Sequence, residues 1–273
     1  MNGPAPAGGR RRGARRAPPA AVVAVALVGV AFVALPLAGL VQRVNWSGLG
    51  DDLSTPAARR ALSLSLTSAL WAAGLSVLIG TPLAWVLART PWKGIGVVRG
   101  LVLVPMVLPP VVGGVALLSA FSLRSSLGGW LYDVFGIQLT YSPVGTVMAQ
   151  TFVALPFYVL TVEGALRSID QRYEAVAASL GATRMAVFTK VTLPMIAPSV
   201  VAGAVLAGAR ALGEFGATIT FAGNIAGRTR TMPLAIYLAM EQNPDTAIAL
   251  SVVLLAVSLT VLVALRGRWM SPT

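Results

Sequence analysis

The chain has 273 residues, of which 56% are hydrophobic and only 11% are charged. Soluble domains carry about 25% charged residues, so this chain lacks the polar groups needed to cover a water-facing surface. It contains no Cys and no His, which excludes disulfides, thiolate or imidazole catalysis and Cys/His metal sites. The net charge of +12 would suit nucleic-acid binding, but no basic stripe interleaved with aromatic residues is present, so we expect no nucleic-acid partner.

Six apolar runs are long enough to cross a bilayer as helices, which takes about 20 mostly apolar residues. They lie at residues 20–41, 62–88, 97–121, 144–166, 199–222 and 247–265. The third run contains three prolines and the fourth contains Pro156, so we expect those two helices to be kinked or broken. The predicted fold class is therefore all-α, a polytopic membrane helix bundle of about six spans.

Lysine and arginine are distributed unevenly between the loops that join these runs. With the N-terminus inside, the cytoplasmic segments hold fourteen of them and the outer loops hold six. Because positive charges collect on the cytoplasmic side, we predict an inner-membrane protein with both termini in the cytoplasm. We expect a disordered basic tail at residues 1–19 in contact with lipid headgroups, one transmembrane domain at 20–266 and a second cytoplasmic tail at 267–273.

The predicted cytoplasmic loop 167–198 contains signals for two short helices. Asp170 is placed to cap a first helix over residues 171–180, and Gly181 supplies the left-handed position at its end. Thr183 is placed to cap a second helix, which Pro194 would end before the fifth span begins at Pro198. The first helix is rich in alanine, which permits close approach by a partner; an amphipathic helix resting on its own bundle or among headgroups is the alternative.

This loop resembles the coupling motif of ATP-binding-cassette (ABC) importer permeases, in which Glu-Ala-Ala precedes a glycine and then Leu-Pro at fixed spacing. Gly181, Leu193 and Pro194 keep that spacing. The triplet 175–177 fills the Glu-Ala-Ala position, with the acid displaced to Glu174. The resemblance implies that the loop docks into a cytoplasmic ATPase subunit. It assigns this role to Tyr173, Glu174, Ala175, Val176, Ala177, Leu180, Gly181, Ala182, Phe188, Leu193 and Pro194.

The fifth span combines many small residues with two charges. Small residues let membrane helices approach closely, which explains its glycines but not Arg210 and Glu214. A charge within a span costs about 2.5–3.5 kcal/mol on insertion scales, and at i,i+4 spacing these two residues can pair on one helix face. A structural lock and a substrate contact both stay open as roles for them. Glu163, near the inner end of the fourth span, suits a snorkelling carboxylate.

Residues 211–225 and 228–233, together with 108–114 in the third span, resemble molybdate importer permeases; sulfate/thiosulfate permeases carry a related segment. The resemblance implies a type I ABC importer permease fold and a homodimer with the translocation path at its interface. It also implies two ATPase subunits that bind ATP and Mg²⁺, and an extracytoplasmic oxyanion-binding protein that docks on the outer loops 122–143 and 223–246. The candidate path residues are Arg210, Gly213, Glu214, Gly216, Thr218, Thr220 and Asn224.

Other functions fit the sequence less well. The chain has no G-x-x-x-x-G-K-[ST] loop, so it is not expected to be an enzyme or to bind a cofactor itself, and ATP hydrolysis would fall to a partner. A sulfate or thiosulfate permease is the nearest alternative. A secondary transporter would usually show internal repeats, and none is convincing here. An intramembrane enzyme would need a catalytic constellation that the spans lack.

Overall fold

The computed structural model describes residues 19–269, so the predicted tail 1–19 lies outside the described residues apart from Pro19, as does most of the predicted tail 267–273. The chain divides into two compact units at Arg43 and Val44. The first unit contains α1 (Ala20–Gln42), an apolar helix with no buried residue. The domain boundaries expected from the sequence stay predictions.

The second unit is helical throughout its regular structure. Its elements are α2 (Leu49–Ser54), α3 (Pro56–Arg89), α4 (Ile95–Val107), α5 (Pro110–Phe121), α6 (Ser126–Phe135), α7 (Pro143–Ser168), α8 (Arg172–Ser179), α9 (Arg184–Val187), a π-helical segment (Phe188–Thr192), α10 (Leu193–Leu212), α11 (Gly216–Phe221), α12 (Met232–Gln242) and α13 (Pro244–Trp269). No strand occurs among residues 19–269, which confirms the all-α prediction.

Six stretches of the described chain are long and apolar enough to cross a membrane, provided that one bent pair counts as a span. Five are α1, α3, α7, the continuous helix from Arg184 to Leu212, and α13. The sixth is α4 with α5, which meet at an angle of 117°. The six predicted spans are therefore confirmed, as is the break in the third. The fourth is not broken: α7 runs as one helix through Pro156 while α3 and α10 pack along it.

The fifth span differs from the prediction at its beginning. Pro194 does not end a helix; it follows a π-helical turn inside one continuous helix from Arg184 to Leu212. Just before it, the backbone N–H of Leu193 donates to the carbonyl of Phe188, five residues back. This π turn is wider than an α turn and makes room for the proline ring. One helix therefore joins the predicted cytoplasmic loop to the fifth span without interruption.

The end of the fifth span also differs from the prediction. Residues 199–222 were expected to form a single helix, but α10 ends at Leu212 and a separate short helix, α11, begins at Gly216. Residues 213–215 separate the two helices, and α11 packs mainly against α5. The third and the fifth predicted spans are therefore both discontinuous, and they meet where α11 packs against α5.

The main core forms where α3, α7 and α10 meet around Tyr158, which is fully buried. Its ring lies between two glycines: a Cβ on Gly80 would stand 2.5 Å from Tyr158 Cδ1, and one on Gly203 would stand 3.0 Å from Cδ2. The phenolic oxygen lies 2.6 Å from Thr81 Oγ1, so its polar end is also satisfied. These contacts set the separation of α3, α7 and α10.

We predict that Gly80→Ala destabilises the protein, because the new methyl group must displace the Tyr158 ring. Overpacking of this kind typically costs about 1–3 kcal/mol. Thermal unfolding of the purified protein in detergent measures the effect. Gly74→Ala is the matched control, since Gly74 lies on the same helix and a methyl group there would meet no other part of the chain within 4 Å. Equal melting temperatures for the two variants would contradict this packing.

Candidate functional site

The first candidate site is the coupling segment, residues 167–198. The Asp170 side chain accepts a hydrogen bond from the N–H of Arg172 (2.9 Å), and α8 begins there, one residue later than predicted. Gly181 follows α8 with φ +87°, the left-handed conformation that glycine adopts without strain. The Thr183 hydroxyl then accepts from the N–H of Ala186 at 3.3 Å and caps α9. The predicted helix–Gly–helix is confirmed.

One side of the coupling segment exposes large apolar side chains. Tyr173, Val176 and Leu180 are 60%, 58% and 82% exposed, although α8 is short and carries charges at its beginning. Among the other candidate residues, Ala175 and Pro194 are also exposed, whereas Ala177, Ala182 and Leu193 are half-buried. Phe188 is half-buried too and packs edge-on against Trp85. The exposed group leaves an apolar surface on a loop that composition places outside the membrane.

Glu174 turns away from that surface and binds within its own chain. One carboxylate oxygen accepts from Arg89 Nη2 at 3.0 Å and from the Thr192 hydroxyl at 2.9 Å. The side chains of Arg89 and Glu174 are only 9% and 20% exposed, so solvent screens this pair weakly. The contacts join α8 to the end of α3 and to the π-helical segment. Glu174 thereby holds the coupling segment against the helix bundle.

Glu163 does not snorkel towards water, as the sequence suggested. It is 5% exposed, and its carboxylate accepts from Arg99 Nη2 at 2.6 Å and from Arg167 Nε at 2.9 Å. Both arginines also donate to the carbonyl oxygen of Leu87 at 3.2 Å. This cluster joins α4 and α7 to the last turn of α3, at the same end of the bundle as the coupling segment.

The second candidate site surrounds the break between α10 and α11. Arg210 Nη1 lies 2.6 Å from Glu214 Oε2, so the i,i+4 pair expected from the sequence does form. The other carboxylate oxygen of Glu214 accepts from the N–H of Ala217 at 2.8 Å, in the first turn of α11. Glu214 is 1% exposed. It therefore links the two helices across the break and satisfies a backbone donor that the break leaves free.

The remaining candidate path residues differ in accessibility. Thr218 is fully buried, while Thr220 and Asn224 are half-buried and Gly213 is exposed. A Cβ on Gly216 would stand 2.8 Å from Pro110, so this glycine permits α11 to lie against α5. The Thr220 hydroxyl donates to the carbonyl of Gly216 at 2.8 Å. Whether these residues line a translocation path stays a prediction.

Four residues that the sequence did not single out as site residues bind Glu174 or Glu163 at the coupling-segment end of the bundle. They are Arg89, Thr192, Arg99 and Arg167. Arg89 and Arg99 lie 85 and 64 residues from their glutamate partners, so no local pattern reveals the pairs. Only Arg167, at i,i+4 from Glu163, carries a sequence signal for pairing.

Comparison with known proteins identifies the family. Residues 80–272 match the family described as binding-protein-dependent transport system inner membrane component. The chain belongs to this family. It is 47% identical over 243 residues to the molybdenum transport system permease protein ModB of Mycobacterium tuberculosis, an alignment that covers 89% of this chain and 92% of that protein. It is also 36% identical over 236 residues to the sulfate transport system permease protein CysT of Escherichia coli, with 85% of each chain covered.

Among solved structures, the fold matches a bacterial ABC transporter involved in the import of the acidic polysaccharide alginate, with a TM-score of 0.73. The match covers 92% of this chain and 95% of that one at 18% identity. The predicted ABC importer permease fold is thus confirmed.

We predict that Glu174→Ala destabilises the protein by about 3 kcal/mol, because it leaves the buried Arg89 guanidinium without a counterion. Thermal unfolding of the purified variant provides the measurement. Arg89→Gln combined with Glu174→Gln removes both charges together and is expected to recover part of the loss. If the effects of the single Gln variants simply add in the double variant, the two side chains do not interact.

Proposed function

We propose that this chain is the permease subunit of an ABC importer for molybdate, driven by partner ATPase subunits. The observation that carries the proposal is the coupling segment. Its short helix α8 exposes apolar residues and is bonded to Arg89 of the helix bundle through Glu174. Support for molybdate comes from the higher identity to a molybdenum permease (47%) than to a sulfate permease (36%). Tungstate, with the same shape and charge, is included in the proposed substrate class.

The apolar surface of α8 is the proposed contact with the ATPase. Tyr173, Val176 and Leu180 project from a helix that is bonded to the bundle on its other side through Glu174. Burial of this surface by a partner would remove apolar area from water, the main favourable term in protein association. ATP and Mg²⁺ would be bound by the partner, which supplies the P-loop that this chain lacks.

The proposed assembly has the coupling segment on the cytoplasmic side of the membrane. We place the coupling segment and both termini in the cytoplasm, with a second copy of this chain completing the translocation path and one ATPase subunit beneath each copy. The opposite end, formed by α6, α12 and the loop 223–231, would face the extracytoplasmic oxyanion-binding protein. The anion would pass near the α10–α11 break, where the amide nitrogen of Asn224 can donate to it; the Thr220 hydroxyl would first have to leave the carbonyl of Gly216.

We predict that Leu180→Asp abolishes co-purification of the ATPase without unfolding the permease, because Leu180 is 82% exposed and contributes little to the core. Co-purification from cells that express both subunits measures the effect. Leu127→Asp on α6, a residue 45% exposed at the opposite end of the bundle, is the control and should retain the ATPase. An ATPase that remains bound to Leu180→Asp would contradict the proposed contact.

Transport itself is tested with the permease reconstituted in proteoliposomes together with its ATPase and binding protein. We expect ATP-dependent uptake of molybdate that an equal concentration of sulfate does not inhibit. Sulfate uptake without molybdate uptake would instead establish the sulfate permease alternative. Uptake that continues without ATP would establish a secondary transporter.

A further inference from the structure

The end of the bundle opposite the coupling segment contains a pocket with two arginines in its wall. Its volume is about 330 Å³, and it lies between the beginning of α3 and the loop that follows α11. The lining residues include Thr55, Pro56, Arg60, Ala226, Gly227 and Arg230. The two arginines are distant in sequence, so the fold brings their charges together.

The loop on one side of this pocket is held in place by its own hydrogen bonds. Thr229 is fully buried; its hydroxyl accepts from the N–H of Ile225 at 2.9 Å and donates to the carbonyl of Gly223 at 3.3 Å. Arg230 Nε donates to Asn224 Oδ1 at 2.8 Å. Gly227 has φ +73°, and the Cβ of any other residue there would stand 3.6 Å from Arg60 Nη1. The loop therefore has a defined shape against which the Arg60 side chain lies.

The charge in the pocket is not balanced by acidic side chains. Neither Arg60 nor Arg230 lies within 4.0 Å of a carboxylate in the part of the chain that the structure describes. Arg228, exposed on the same loop, has no such partner there either. Arginine keeps its charge at any physiological pH, so the wall of the pocket stays positively charged. Pro56, in the first turn of the 34-residue helix α3, adds the positive end of a helix dipole.

We propose that this pocket binds a tetrahedral oxyanion at the extracytoplasmic mouth of the permease. The Arg60 guanidinium fork can donate two parallel hydrogen bonds to such an anion. Arg230 adds its charge and its remaining N–H groups, because its Nε and Nη2 already donate to the side-chain and backbone oxygens of Asn224 at 2.8 and 3.4 Å. The pocket is connected to the candidate path through Arg230, which binds Asn224 just after α11. The site would receive the anion as the binding protein releases it. The inference rests on the proposed import of an oxyanion but not on which oxyanion is carried.

Arginine modification by phenylglyoxal, with the modified residues mapped by mass spectrometry, tests occupancy directly on the full permease–ATPase complex in detergent. Molybdate at millimolar concentration is expected to slow modification of Arg60 while leaving Arg59 unchanged. Arg59 is the matched control because it is the neighbouring exposed arginine on α3 and does not line the pocket. Equal modification of Arg60 with and without molybdate and with and without sulfate would overturn the proposal, even if ATP-driven uptake of molybdate were observed.

The same assay tests the site independently of which oxyanion is the substrate, and it distinguishes an oxyanion from a lipid phosphate as the ligand. Protection of Arg60 by sulfate but not by molybdate would support the site and contradict molybdate as the substrate. If Arg60 were already protected in phospholipid nanodiscs without added anion, and reactive in detergent whether or not molybdate was present, the pocket would bind lipid phosphate and the proposal would be wrong.

Transport by variants gives a second, independent readout. At saturating binding protein, Arg60→Gln is expected to lower the rate of molybdate uptake about tenfold, the effect of losing a hydrogen bond to a charged group. Arg60→Lys should restore part of the rate because it retains the charge, and Arg59→Gln should transport like the unmodified protein. A loss of binding-protein docking in Arg60→Gln, with no molybdate protection of Arg60 or Arg230 in the unmodified complex, would instead make this a protein-docking surface and overturn the proposal.

Discussion

A carboxylate removed from water needs a cation beside it, and three glutamates impose that requirement on this fold. Glu163, Glu174 and Glu214 each lie within 3.0 Å of an arginine nitrogen. The contacts of Glu163 join α4 and α7 to the end of α3, and those of Glu174 join α8 to the same end. The contacts of Glu214 join α10 to α11. The ion pairs therefore fasten the junctions where helices are short or interrupted, whereas apolar packing around Tyr158 holds the long helices together.

Hydropathy predicted the spans because the thickness of a bilayer sets the length of each apolar run. The Arg210–Glu214 pair was predictable for a similar reason, since i,i+4 residues on a helix are neighbours whatever the rest of the fold does. The environment of Glu163 was not predictable. Its partner Arg99 is 64 residues earlier in the chain, and only the packing of α4 against α7 brings the two together.

The break in the fifth span was not predictable from the sequence either, because it also depends on contacts with another helix. Residues 199–222 are continuously apolar apart from one charge pair, which favours one helix. The observed break depends on Glu214 binding the N–H of Ala217 and on Gly216 lying against Pro110 of α5. Which candidate path residues are accessible depends in turn on that break, so the burial of Thr218 could not be read from the sequence.

The unbroken helix from Arg184 to Leu212 has a mechanical consequence. Its 29 residues span about 43 Å at the usual rise of 1.5 Å per residue. One end emerges from the coupling segment and the other ends beside the Arg210–Glu214 pair. Because the helix is continuous, a tilt imposed on it near Arg184 displaces the end beside the Arg210–Glu214 pair as well.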